Sequence, residues 1–488
     1  MDTDTTNSPA CHPWLVLAAL CSGLFMAMLD NLVVGTALPS IGDRLHTGTA
    51  GLQWVVEAYG LVYAALLLTG GALGDRWGRR PVYLAGLGLF TAGSAGCALA
   101  TGLGELIGGR AVQGLGAALL TPGSLAILRQ VFPEDRERAR AIGIWSGVSG
   151  SGLAIGPALG GPLVSHFGWA GVFWINVPVG AAGLALAARV LPRLPRTAGA
   201  HLDLAGQVTG AAGLGALVYA LVEGPVRGWS APLVLGAAAL ALLALSAFTV
   251  VELRAPAPML DVRVLTHRIT GTAAWAGFTA SFGFFGLGVF LTLYLQNVLG
   301  LSPARAGWAM LPATVATGVT AVTAGRLCAR HGPRLPLAAG LTLIATGLAF
   351  LTGYGAGARY PEFAWLMPVL GAGLGLTFTP ISIAVLGAVP PARAGMAAAM
   401  VNTFREVGGV AGVAVLGAIV TTRAPAMSGT TTPEAARAFV AGLHGAVLAG
   451  AGCVGLAAVM VLALMRAPRD GKPGAPLMGR GATTTPRR

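Results

Sequence analysis

Apolar runs of about 20 residues recur along almost the whole chain, separated by short breaks marked by Arg or Pro. At about 1.5 Å of rise per residue, each run is long enough to cross the hydrocarbon of a bilayer as an α-helix, which satisfies its own backbone without water. Fourteen such runs are read, over residues 14–38, 52–73, 82–101, 104–128, 141–165, 169–189, 204–222, 231–251, 269–297, 306–325, 335–354, 363–388, 398–421 and 439–465. Composition points the same way: 55% of residues are hydrophobic and 10% charged, whereas a soluble domain carries about 25% charged residues. The sequence predicts an all-α polytopic membrane protein with almost no room for a soluble domain.

A net charge of +13 would suit a nucleic-acid partner if the basic residues gathered on one surface. Most of the 31 Lys and Arg residues instead fall on alternate connections and on the C-terminal tail, among them Arg129, Arg138, Arg140, Arg326 and Arg330. The positive-inside rule places those segments in the cytoplasm, and an even number of spans puts both termini there. The acidic start MDTDTTNSPACHPW argues for a retained first helix rather than a cleaved signal. Cys11, Cys21, Cys97, Cys328 and Cys453 are dispersed, so neither a disulfide framework nor a metal site is expected.

One internal repeat is visible. Gly71-Ala-Leu73-Gly-Asp75-Arg76-Trp-Gly78-Arg79-Arg80 follows the second run, and Gly325-Arg-Leu327-Cys-Ala329-Arg330-His-Gly332-Pro-Arg334 follows the tenth. Gly, Leu, Arg, Gly and Arg recur at the same offsets, both times on an inner connection. Two related six-helix halves with two extra helices between them, at 204–222 and 231–251, account for the spacing. Asp75 among Arg76, Arg79 and Arg80 can hold helix ends in one arrangement of a two-state gate; plain cytoplasmic anchoring is the alternative. In the fifth run Gly152, Gly156, Pro157, Gly160 and Gly161 permit close helix contact and a bend.

Charges inside the runs are costly and therefore functional candidates. Asp30, Glu57 and Arg110 lie at similar depth below the outer ends of the first, second and fourth runs. Two readings stay open: a proton site in which an acid re-pairs with Arg110, or a permanent structural ion pair. Arg405 and Glu406 form a second buried cluster, but neighbours on a helix point about 100° apart and cannot face one partner. Phe282, Phe284 and Phe285 are the aromatic residues placed best to line a cavity, with Glu406 and Arg405 as its polar candidates.

Together these segments resemble the major facilitator superfamily, and within it the fourteen-span drug:proton antiporter branch often called EmrB/QacA. Gly71 to Arg80 resembles the inner-loop signature, Arg110-Ala-Val-Gln113-Gly114-Leu-Gly116 the fourth-span signature, and Gly152 to Gly161 the fifth-span antiporter signature. Leu29-Asp30 through Leu38-Pro39 resembles the first-span motif of that branch, and Gln296 to Pro303 and Asn402 to Gly409 fit it as well. Glu57, Trp169-Ala-Gly and Glu406 depart from the common pattern. The resemblance implies a major facilitator fold of two six-helix bundles plus two extra central helices.

The implied divisions are a cytoplasmic N-terminus (1–13), an N-terminal bundle (14–190), a linker with the two extra helices (191–267), a C-terminal bundle (268–466) and a disordered basic tail (467–488). The implied activity is export of an amphipathic drug- or antibiotic-like molecule in exchange for protons by alternating access, with no cofactor, no nucleic acid, and substrate, protons and the bilayer as partners. Export of an endogenous metabolite or siderophore is the alternative, and a transport-dead sensor or scaffold a more distant one. The chain has no GxxxxGK[ST] nucleotide loop and no nucleophile–base pair on a connection, which argues against an ATP-driven pump and an enzyme.

Overall fold

The computed structural model describes residues 12–194, 203–255, 258, 266–388, 394–424 and 432–465, and these are helical apart from short connections. The basic tail, the N-terminal segment before His12 and most of the linkers flanking the two extra helices lie outside the described residues. The long helices are α1 (Pro13–Leu45), α2 (Thr49–Trp77), α3 (Arg79–Leu99), α4 (Leu103–Val131), α5 (Asp135–Phe167), α6 (Asn176–Val190), α7 (Leu204–Arg227) and α8 (Pro232–Arg254). They continue as α9 (Arg268–Leu293, extended by a π-turn over Tyr294–Val298), α10 (Pro303–His331), α11 (Arg334–Leu351), α12 (Leu366–Ala388), α13 (Ala394–Arg423) and α14 (Pro433–Leu464). One-turn helices at Gly171–Trp174 and Tyr360–Phe363 lead into α6 and α12.

Twelve of these segments are long and apolar enough to cross a membrane, two fewer than the sequence reading expects. The difference falls on α5 and α10, which are long but interrupted by Gly, Ser, Thr and terminal charges. Their composition has a packing reason. The two helices run against each other between the bundles, where small residues allow backbone contact.

The repeat seen in the sequence is a repeat of packing. In the first half α1 pairs with α5 and α6, α2 with α4, and α3 with α4 and α6. In the second half α9 pairs with α13 and α14, α10 with α12, and α11 with α12 and α14. The matched arginines of the two copies do the same work: Arg80 donates to the Ala188 carbonyl at the end of α6 at 2.6 Å, and Arg334 donates to the Leu462 carbonyl at the end of α14. Each fills one of the carbonyls that a helix C-terminus leaves unbonded.

The halves meet along α2 against α13 and α5 against α10. They are tied at the end where α1 turns into α2. Gln53 Nε2 donates to the Val413 carbonyl (3.1 Å) while its Oε1 accepts from the Thr421 hydroxyl (3.3 Å), and Gln296 Nε2 donates to the Thr36 carbonyl (3.0 Å). At the α5–α10 crossing a side chain at Gly307 would run into the Pro157 carbonyl, and one at Gly161 into Pro303 and Ala304. The two extra helices pair with each other, and α7 also lies against α2 and α13.

Candidate functional site

Asp30, Glu57 and Arg110 are all buried in the first bundle, exposed to 0%, 1% and 1% respectively. Arg110 points at Asp30: its Nη1 donates to Asp30 Oδ2 and to Gln113 Oε1 (2.9 Å), and its Nε donates to the Val55 carbonyl (2.9 Å). The guanidinium also sits 4.5 Å from the centre of the Tyr59 ring, a cation–π distance. The other oxygen of Asp30 accepts from Gln113 Nε2 (3.0 Å) and Asn176 Nδ2 (2.9 Å). Gln113 is held in turn by Ser94, whose hydroxyl accepts from it at 2.8 Å.

Glu57 differs. Both of its carboxyl oxygens are sealed from solvent, and among the described residues neither accepts a hydrogen bond. The sequence reading gave Arg110 as a shared partner for both acids; in this structure Asp30 holds it and Glu57 stands alone.

Glu57 lies in the wall of a cavity between the bundles. The first bundle contributes Asn31, Gly35, Tyr59 and Arg110; the second contributes Phe284, Phe285, Thr292, Met310, Leu370 and Glu406. Most of this wall is aliphatic or aromatic, with Met side chains that can adapt to differing shapes. Glu406 is half-buried and faces the cavity from α13. Its neighbour Arg405 points elsewhere, as the helical offset requires, with its guanidinium 4.0 Å from the Phe378 ring and Nη1 3.1 Å from Asn402 Oδ1. Phe285 reaches the cavity, whereas Phe282 is packed away, 8% exposed and 6.3 Å from Phe278 ring to ring.

The motif from Gly71 to Arg80 is tied within the first bundle. Asp75 Oδ1 accepts from Arg79 Nη2 (3.0 Å) and Nε (3.2 Å), and Arg79 Nη1 donates to the Ala126 carbonyl on α4 (3.0 Å). Gly78, at φ +103°, makes the turn between α2 and α3 that brings the pair together. Gly71 faces Pro122 of α4, and Arg76 is exposed. In the fifth helix Gly152, Gly156 and Gly160 lie directly against α1, while Pro157 and Gly161 face α10. One motif therefore serves two contacts, one inside a bundle and one between bundles.

A model of the Major Facilitator Superfamily matches residues 20–413. The chain belongs to this superfamily. Multidrug resistance protein Stp of Mycobacterium tuberculosis is 37% identical over 427 residues, which cover 87% of this chain and 78% of that protein. The Tetracenomycin C resistance and export protein of Streptomyces glaucescens is 35% identical over 439 residues, 87% of this chain and 81% of that protein. Among solved structures, the inward-open xylose transporter XylE from E. coli shares the fold, with a TM-score of 0.62 over 95% of this chain and 98% of that one at 14% identity.

Two residues of this facilitator site, Gln53 and Asn176, escaped the sequence reading, and two more, Gln113 and Gln296, stood there inside motifs with no role of their own. Each is an uncharged amide inside or beside an apolar run, buried to 9% exposure or less. A buried amide with no water to bond must find a partner, and that is the signal by which all four stand out. Among the described residues no group of three or more His, Cys, Asp or Glu is placed to hold a metal ion.

Proposed function

We propose that this facilitator exports amphipathic drug- or antibiotic-like molecules across the cell membrane in exchange for protons, by alternating access of the central cavity. The observation that carries the coupling is Glu57. An ionised carboxyl without a donor at that depth costs about 2.5–3.5 kcal/mol, and binding a proton removes that cost. We assign Asp30 a different role on the strength of its donors: with Arg110, Gln113 and Asn176 it forms the scaffold that fixes α1, α4 and α6 around the proton site.

The apolar, aromatic wall and the single half-buried carboxyl of Glu406 on the opposite bundle suit a substrate with a large hydrophobic body and a polar end. Phe285 and Glu406 are its proposed contacts. The names of the resistance proteins to which the chain is similar support the export direction.

On this reading α5 and α10 also span the membrane, giving fourteen spans with both termini in the cytoplasm. The domain division is 14–190 and 268–466 for the two bundles, joined by 191–267. The end closed by Gln53 and Gln296 is then the outer one, and the structure is the inward-facing state. The motif from Gly71 to Arg80 is the inner gate, and the pairing of Pro157 and Gly161 with α10 seals the outer side. No cofactor takes part, since the proton gradient drives the cycle. In inverted membrane vesicles an imposed proton gradient should drive accumulation of a fluorescent drug such as ethidium or Hoechst dye, and a protonophore should abolish it. Accumulation equal to that of vesicles lacking the protein, across a panel of drugs, would refute the proposal.

A further inference from the structure

α7 lies over the groove between α2 of the first bundle and α13 of the second; it packs apolar side chains against both and adds side-chain hydrogen bonds toward α2. Toward α2 it is hydrogen-bonded near both ends. Gln207 donates Nε2 to the Ala65 carbonyl (2.9 Å) and accepts from the Thr69 hydroxyl, while Glu223 accepts from Trp54 Nε1 (3.0 Å). Toward α13 the surface is apolar, with Val218, Leu221 and Val222 against Val407, Val410 and Ala414. Among the described residues, the hydrogen bonds that leave α7 for another helix end on α2.

These two kinds of contact behave differently when helices move. Hydrogen bonds are directional and fix the register of the helices they join; at membrane depth a donor that lets go finds no water to replace its partner. Apolar contact has no preferred direction and survives sliding. α8 packs on α7 and turns much of its remaining surface outward, so it follows wherever α7 goes.

We infer that Gln207 and Glu223 are positioning residues that fasten the α7–α8 hairpin to α2 as one body, so that the hairpin travels with the first bundle and glides over α13. The extra pair is thus a moving seal over the seam between the bundles. The fastening also bears on Glu57, because Trp54 and Glu57 stand one turn apart on the same side of α2. Glu223 therefore sets the face of the helix that carries the unpartnered carboxyl. The inference goes beyond drug export: it holds for any cargo, provided the bundles move relative to each other.

Double electron–electron resonance on the full-length protein tests this, with nitroxide pairs placed on a background whose native cysteines are replaced by Ser. Three exposed positions at one end of the molecule serve as sites: Leu99 on the first bundle, Arg359 on the second and Ser230 in the α7–α8 turn. The pair Leu99 and Arg359 reports the bundles, and conditions are chosen under which its distance changes, using pH or the variant Gln53→Ala. Under those conditions the distance from Ser230 to Leu99 should stay a single unchanged population, while that from Ser230 to Arg359 changes with the bundles. A Ser230–Leu99 distance that changes under the same conditions overturns the inference. The double variant Gln207→Ala with Glu223→Ala should broaden the Ser230–Leu99 distribution, and Glu223→Gln, which keeps an acceptor for Trp54, should leave it narrow. If the double variant stays as narrow as the wild type, these residues are not the fastening and the inference falls.

Discussion

Arg110 on α4 donates to Asp30 on α1, and with both side chains at 1% exposure or less the pair is shut away from water. Breaking such a pair leaves one buried charge without its partner, at a cost of about 3–5 kcal/mol. Arg110→Ala and Asp30→Asn should each lower the melting temperature in detergent by several degrees, and the double variant Asp30→Asn with Arg110→Gln should recover part of the loss. Single variants that melt like the wild type would show that the pair does not hold α1 and α4 together.

The α5–α10 crossing makes a sharper demand on one position. A side chain on Gly307 would overlap the Pro157 carbonyl, whereas one on Gly318, further along the same helix, meets nothing within 4 Å. Gly307→Leu should insert normally but lose at least tenfold in export, because the bundles can no longer close at that end. Gly318→Ala should export at the wild-type rate. Equal activity in the two variants would count against close approach at Gly307.

Asp75 and Arg79 form a partly exposed pair, with side-chain exposures of 39% and 20%, and such a pair contributes at most about 1 kcal/mol to stability. Asp75→Asn should therefore leave the melting temperature and equilibrium drug binding close to wild type while the export rate falls severalfold. Loss of binding in step with loss of transport would move Asp75 from the gate to the binding site.

Gln53 fits a notch that exists because residue 417 has no side chain: a Cβ there would collide with the Gln53 amide. Without Gln53 and Gln296 the tied end keeps only its weaker contacts. In Gln53→Ala with Gln296→Ala, a cysteine placed at Thr292 in the cavity wall should become reactive to a membrane-impermeant maleimide added from outside intact cells. Reactivity no higher than in the parent protein would mean that the two glutamines do not hold this end shut.

The helices were legible in the sequence because a bilayer sets one length scale, and their order was legible because Gly71 to Arg80 returns as Gly325 to Arg334. α5 and α10 were read as runs too, at 141–165 and 306–325, and they are helices, but they fall short of the apolarity that the other twelve reach. Their Gly, Ser and Thr residues lower apolarity and also let them pack between the bundles, so the close contact itself weakens the membrane signal. At the site, the meeting of Asp30 with Arg110 follows from shared depth on neighbouring helices. The isolation of Glu57 does not, since depth cannot say which of two acids an arginine turns toward. That choice depends on Gln113 and Asn176, which come from different helices and hold the other face of Asp30.

The central claim is that the cavity's unpartnered acid carries the transported proton, and Glu57→Gln removes that proton site while keeping the shape of the side chain. Purified protein in liposomes under an imposed pH gradient, followed for uphill drug movement and for proton release on drug addition, reads the claim directly. The account predicts that Glu57→Gln loses both signals yet still exchanges drug down its own gradient. Uphill movement and drug-induced proton release at wild-type levels in Glu57→Gln would contradict it.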